Sequence, residues 1–78
     1  MAKILVSEAD PDVRRLLIVL VRRLGHEAVV IDPNVEVPPR ADLLLAEHES
    51  HDPELPVVST IKPFTLAQMR SRIQLGLA

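Results

Sequence analysis

Short apolar blocks punctuate the chain: Ile4-Leu5-Val6, Ala28-Val29-Val30-Ile31, Leu43-Leu44-Leu45-Ala46 and Val57-Val58 within Pro56 to Ile61. Consecutive side chains of a strand point to opposite faces, so a block apolar at successive positions predicts a strand buried on both sides. Between the first two blocks the spacing becomes helical: Val13, Leu16, Leu17, Leu20 and Leu24 share one face. Asp10 offers a carboxylate N-cap, Pro11 suits the first helical position, Asp12 complements the helix dipole and Gly25 ends the helix. Ile18 and Val19 interrupt the face that carries Arg14, Arg15 and Arg22. Near the C-terminal end, Thr65 and Gln68 form a capping-box pair, and Leu66, Met69, Ile73 and Leu77 mark a second amphipathic helix.

The predicted order is β-α-β-loop-β-loop-β-α. Residues 3 to 32 form a βαβ unit, which makes the first two strands parallel. The segment 33 to 41 holds Pro38-Pro39 and no helical period. Residues 48 to 55 are a second, polar connection.

Composition narrows the reading. Seventy-eight residues allow a single domain, 1–78. The lack of cysteine removes disulfides and thiolate-bound metals, and Phe64 as the only aromatic residue makes the core aliphatic. It also leaves nothing on which to stack single-stranded nucleic acid. A net charge of −2 gives no overall field favouring DNA or an anionic membrane, so neither is expected as a partner. No apolar run is long enough for a membrane span and no signal-peptide layout precedes Lys3, which points to a cytoplasmic protein.

Catalytic chemistry finds no support. Ser7, Ser50, Ser59 and Ser71 lack a nucleophile elbow or partnered base, and Gly25 and Gly76 do not make a phosphate-binding loop. Glu47 to Asp52 brings carboxylates and imidazoles close together, but without the spacing of an established metal site. Glu8 and Asp10 lie where a strand gives way to a helix, the end of an open α/β sheet at which sites form.

Taken together, KILVSEADPDVRRLL, RRLGHEAVVID, ADLLLAE and IKPF ahead of a helix resemble the receiver domain of bacterial response regulators, over nearly the whole chain. The resemblance implies a minimal flavodoxin-like α/β fold, a parallel sheet of four strands in the order 2-1-3-4 with two helices on one face. It places Glu8 at the first acidic position, Glu47 at the phosphoacceptor and Lys62 at the receiver lysine, with Lys62-Pro63 in cis. It leaves Ser59 and Thr60 as alternatives for the switch hydroxyl.

Three departures shape the function expected. Ala9 replaces the second acid, so a magnesium ion at Glu8 and Glu47 would be weakly held and no cofactor is expected. Glu47 is one methylene longer than the aspartate of the family, which favours a fixed ion pair with Lys62 over phosphorylation. The helices of one sheet layer are missing altogether. The function these features imply is a degenerate receiver-like module acting by protein association in signalling or regulation, without phosphorylation and without enzymatic activity. A working phosphoacceptor in a two-component relay and a structural or engineered α/β scaffold are the alternatives.

The missing layer also implies a homodimer. Four strands would leave on the order of 400 Å² of apolar surface on the helix-free face, with Leu44, Leu45, Val57, Val58 and Val30 as the expected interface. Alternatively, Val35, Val37 and Leu55 bring the two connections back over that face, or Ile18 and Val19 make the contact.

Overall fold

The structure is a computed structural model, and it describes residues 1–32, 34, 40–47 and 54–78. Four parallel strands, β1 (Lys3–Ser7), β2 (Glu27–Val30), β3 (Leu43–Ala46) and β4 (Val57–Ser59), form one sheet in the order β2-β1-β3-β4. The helices are α1 (Pro11–Arg23) and α2 (Leu66–Leu77). The four-stranded parallel sheet, its strand order and the two helices agree with the sequence reading.

Register fixes which side chains share a face. Ile4 pairs with Leu43, Val6 with Val30 and Leu45, and Leu45 with Val58. Ile4, Val6, Leu43, Leu45 and Val58 meet Leu17 and Val21 of α1 and Met69 and Ile73 of α2 in one buried cluster, so both helices cover the same side. Leu5, Leu44 and Ala46 face the other way and form a second cluster with Leu55. This second cluster is closed within a single chain: Leu5 is fully buried and Leu44 only 4% exposed. Leu55, just before β4, packs there as the alternative reading of that connection required, with Val29, Ile31, Ala41 and Val57 half-buried around it. Val35 and Val37 lie outside the described residues.

The expected dimer interface needs correction on this point. Leu44 and Val57 do face the helix-free side, but Leu45 and Val58 belong to the helix-side core, and Val30 shares its row with Val6 on that same side. The reason is the two-residue period of a strand, which cannot put adjacent residues on one face.

Both helices start as their sequences direct. Asp10 accepts from the backbone N–H groups of Asp12 and Val13, a cap worth about 1 kcal/mol. Thr65 and Gln68 complete the capping box on α2. Gly25 takes a left-handed φ of 87°, which a side chain would disfavour. The buried row of α1 differs from the expected one: Leu17 and Val21 are fully buried and Ile18 packs against the core, while Leu16 is 50% exposed. In α2, Met69 and Ile73 are buried and Leu66 is turned outward. No helix among the described residues is long and apolar enough to cross a membrane.

At the N-terminal edge of the sheet, side chains hold the start of β1. The Ala2 N–H donates to Nδ1 of His26 at 3.0 Å, and the Lys3 N–H donates to Asp42 Oδ2 at 2.8 Å.

Candidate functional site

The opposite, C-terminal edge is where the chemically capable side chains gather. The alternation that turns Val6, Leu45 and Val58 toward the helices continues two residues further to Glu8, Glu47 and Thr60. Because Ser7 pairs with Ala46 and Ala46 with Ser59, these three residues form the next row beyond the last paired one. The sheet delivers two carboxylates and a hydroxyl side by side, and the turn after β4 adds Lys62. The Lys62-Pro63 peptide bond is cis.

Glu8 is the centre of the arrangement. Its side chain is 2% exposed, and both of its carboxylate oxygens have hydrogen-bond partners. Oε2 accepts from the Thr60 hydroxyl at 3.3 Å. Oε1 accepts from the Asp10 backbone N–H at 3.1 Å and from Lys62 Nζ at 3.4 Å. The same ammonium reaches Oε1 of Glu47 at 3.3 Å. A buried carboxylate is tolerated only when it is paired and hydrogen-bonded, and this one has both.

Lys62 and Glu47 stand nearer water, with 42% and 53% of their side chains exposed. Lost hydration works against the charged lysine, but hydrogen bonds to Glu47 and Glu8 and the attraction of both carboxylates outweigh it. The Lys62 pKa is raised above its ordinary 10.5. The ammonium therefore stays charged across the physiological range and stands as a cation between two acids at the edge of the sheet.

Of the residues that the sequence singles out, Glu8, Glu47, Lys62 and Thr60 come together. Ser59 does not: it is exposed, and its Oγ accepts from the Ile61 N–H at 3.2 Å. His48, Glu49, His51 and Asp52 lie outside the described residues. One contact carries no sequence signal beyond a basic residue on the first turn of α1: Arg14 Nη1 donates to the Glu8 carbonyl oxygen at 3.5 Å.

A magnesium ion does not fit this set of donors. Both Glu8 oxygens already accept hydrogen bonds, Lys62 lies between the two carboxylates where a cation would sit, and Asp10 Oδ1 is committed to capping α1. Among the described residues no group of three or more His, Cys, Asp or Glu side chains is placed to hold a metal. Comparison with protein families, curated proteins and solved structures finds no match.

Proposed function

We propose that this chain is a reduced, receiver-like version of the flavodoxin-like fold that works by associating with other proteins in a signalling or regulatory setting, with no phosphorylation step. The observation that carries the reading is Lys62 held between Glu8 and Glu47 at 3.4 and 3.3 Å. A receiver's lysine answers the negative charge of an acyl phosphate. Here a glutamate carboxylate stands at the phosphoacceptor position and meets the lysine without any phosphoryl group. The charge pattern is then built into the sequence and does not depend on a donor.

Mass measurement after treatment with acetyl phosphate and magnesium tests this. The wild-type mass is expected to stay unchanged, and a gain of one phosphoryl group at Glu47 would favour the relay reading. The double variant A9D/E47D separates the proposal from a purely structural scaffold. It adds the missing acid at position 9 and withdraws the Glu47 carboxylate from Lys62, which removes the crowding that excludes magnesium from the wild-type donors, and it is expected to gain one phosphoryl group in the presence of magnesium. A variant that folds and stays unmodified would favour the scaffold.

A further inference from the structure

Charge is divided unevenly over the molecule. Six of the nine basic residues, Arg14, Arg15, Arg22, Arg23, Arg70 and Arg72, lie on the two helices, and of the eleven acids only Asp12 does. The helix layer of a net-acidic chain is thus strongly basic. Apart from Arg14, none of these arginines has an ion-pair or hydrogen-bond partner among the described residues. Charges left unpaired on one face of an otherwise acidic molecule create a field that selects anions.

The same layer contains a groove of about 320 Å³ lined by residues of α1 and α2: Leu20, Leu24, Leu66 and Ala67, with Arg23 from α1 and Arg70 from α2. Leu16 stands one turn before Leu20 on the same row of α1 and is half exposed. An aliphatic lining with a basic residue from each helix is the complement of one kind of ligand: a helix with an apolar ridge flanked by carboxylates. A second copy of this chain cannot supply that helix from its own described helices, which carry Asp12 as their single acid. A flat anionic bilayer would not enter a concavity between two helices.

We infer that the α1–α2 groove is a docking site for an acidic amphipathic helix of a partner protein, with Arg23 and Arg70 pairing to its carboxylates and Leu20, Leu24 and Leu66 receiving its apolar ridge. The inference rests on the association reading above and names the chemistry of the partner. Arg72 lies on the other flank of α2, outside the groove lining, and takes no part.

The test is fluorescence anisotropy with a labelled synthetic helix carrying leucines at i, i+3 and i+4 and glutamates on either side of them. A control peptide has lysine for every glutamate, and vesicles of phosphatidylserine and phosphatidylcholine provide a lipid surface. The acidic peptide is expected to bind, more weakly as salt rises, and to lose at least about tenfold in affinity with R23E/R70E but not with R72E. If R23E/R70E is shown by circular dichroism not to fold, R23Q/R70Q replaces it, with a smaller loss in the same direction. Absence of acidic-peptide binding, equal binding of both peptides, unchanged affinity in the groove variants, or binding to the vesicles alone would each overturn the assignment. The phosphodonor experiment is independent of these outcomes: an unmodified wild-type mass with no peptide binding removes the groove and leaves the association reading, whereas a phosphorylated Glu47 removes that reading first.

Discussion

The Thr60 hydroxyl donates to Oε2 of Glu8 at 3.3 Å, joining two buried side chains that are 52 residues apart in the chain. Replacing Thr60 with Val keeps the shape and strips the donor, leaving a buried carboxylate oxygen with one bond fewer. The expected cost is about 1–3 kcal/mol in urea unfolding. Ser59→Ala, one residue away but exposed, should stay within about 0.5 kcal/mol of wild type. Equal losses from the two would show that the hydroxyl contact contributes nothing particular.

Lys62 gives a pH dependence with a definite sign. Its pKa is higher in the folded protein than the ordinary 10.5, so the stabilisation is present in full below that value and is lost as pH rises through the folded-state pKa. Glu47→Gln removes one of the two carboxylates that raise it. Urea midpoints measured between about pH 9 and pH 12 should therefore begin to fall at a lower pH in E47Q than in wild type, with little difference at neutrality. Lys62→Met should abolish this part of the alkaline loss.

The two glycines should fail for different reasons when replaced. A Cβ at Gly25 would meet nothing within 4 Å, so the cost of Gly25→Ala lies in the backbone at φ 87° and should be about 1–2 kcal/mol. A Cβ at Gly76 would fall 2.8 Å from Leu43 Cδ1 and 3.3 Å from Val58 Cγ2. Alanine there gains about 1 kcal/mol of helix propensity to set against the crowding. Valine adds methyl groups to the same contact and should cost about 1–3 kcal/mol. Thermal melts of G25A, G76A and G76V would show whether backbone and packing separate in this way.

The burial of Leu5 and Leu44 within one chain removes the main ground for expecting assembly through the helix-free face. The thermal midpoint of wild type should not change over a hundredfold range of about 1 to 100 μM protein. Leu44→Ala should destabilise the isolated chain by about 2–5 kcal/mol, the cost of a core cavity. A midpoint that rises with concentration would restore the dimer.

The strand blocks and the capping residues are legible because each is a local signal, whereas the strand order is a long-range property that only the resemblance supplies. Glu8 lies where the first strand ends, and the resemblance is what singles out Glu47 and Lys62 as its partners. Less could be read where a choice depended on side-chain direction. Ser59 and Thr60 are equivalent as residue types, and only the parity that links Thr60 to Val58 turns one hydroxyl inward. Leu45, Val58 and Val30 were misplaced for the same reason: a strand apolar at every position does not say which of its faces meets the helices. On α1, Leu16 fits the apolar row as well as Val21 does by composition, and only packing against the sheet buries Val21 and leaves Leu16 half exposed. The Arg14 contact with the Glu8 carbonyl likewise depends on side-chain direction.

β3 is buried at all four of its positions. Its residues answer to helices on one side and to the second cluster on the other, so a change of side chain there must satisfy two sets of neighbours together. The outward row of α1, with Arg15, Val19, Arg22 and Arg23, answers to no neighbour of that kind. A saturation library of this chain would concentrate its inviable members in Leu43–Ala46 and its viable diversity on the helix exteriors. New specificities can be written on those exteriors without reopening the sheet.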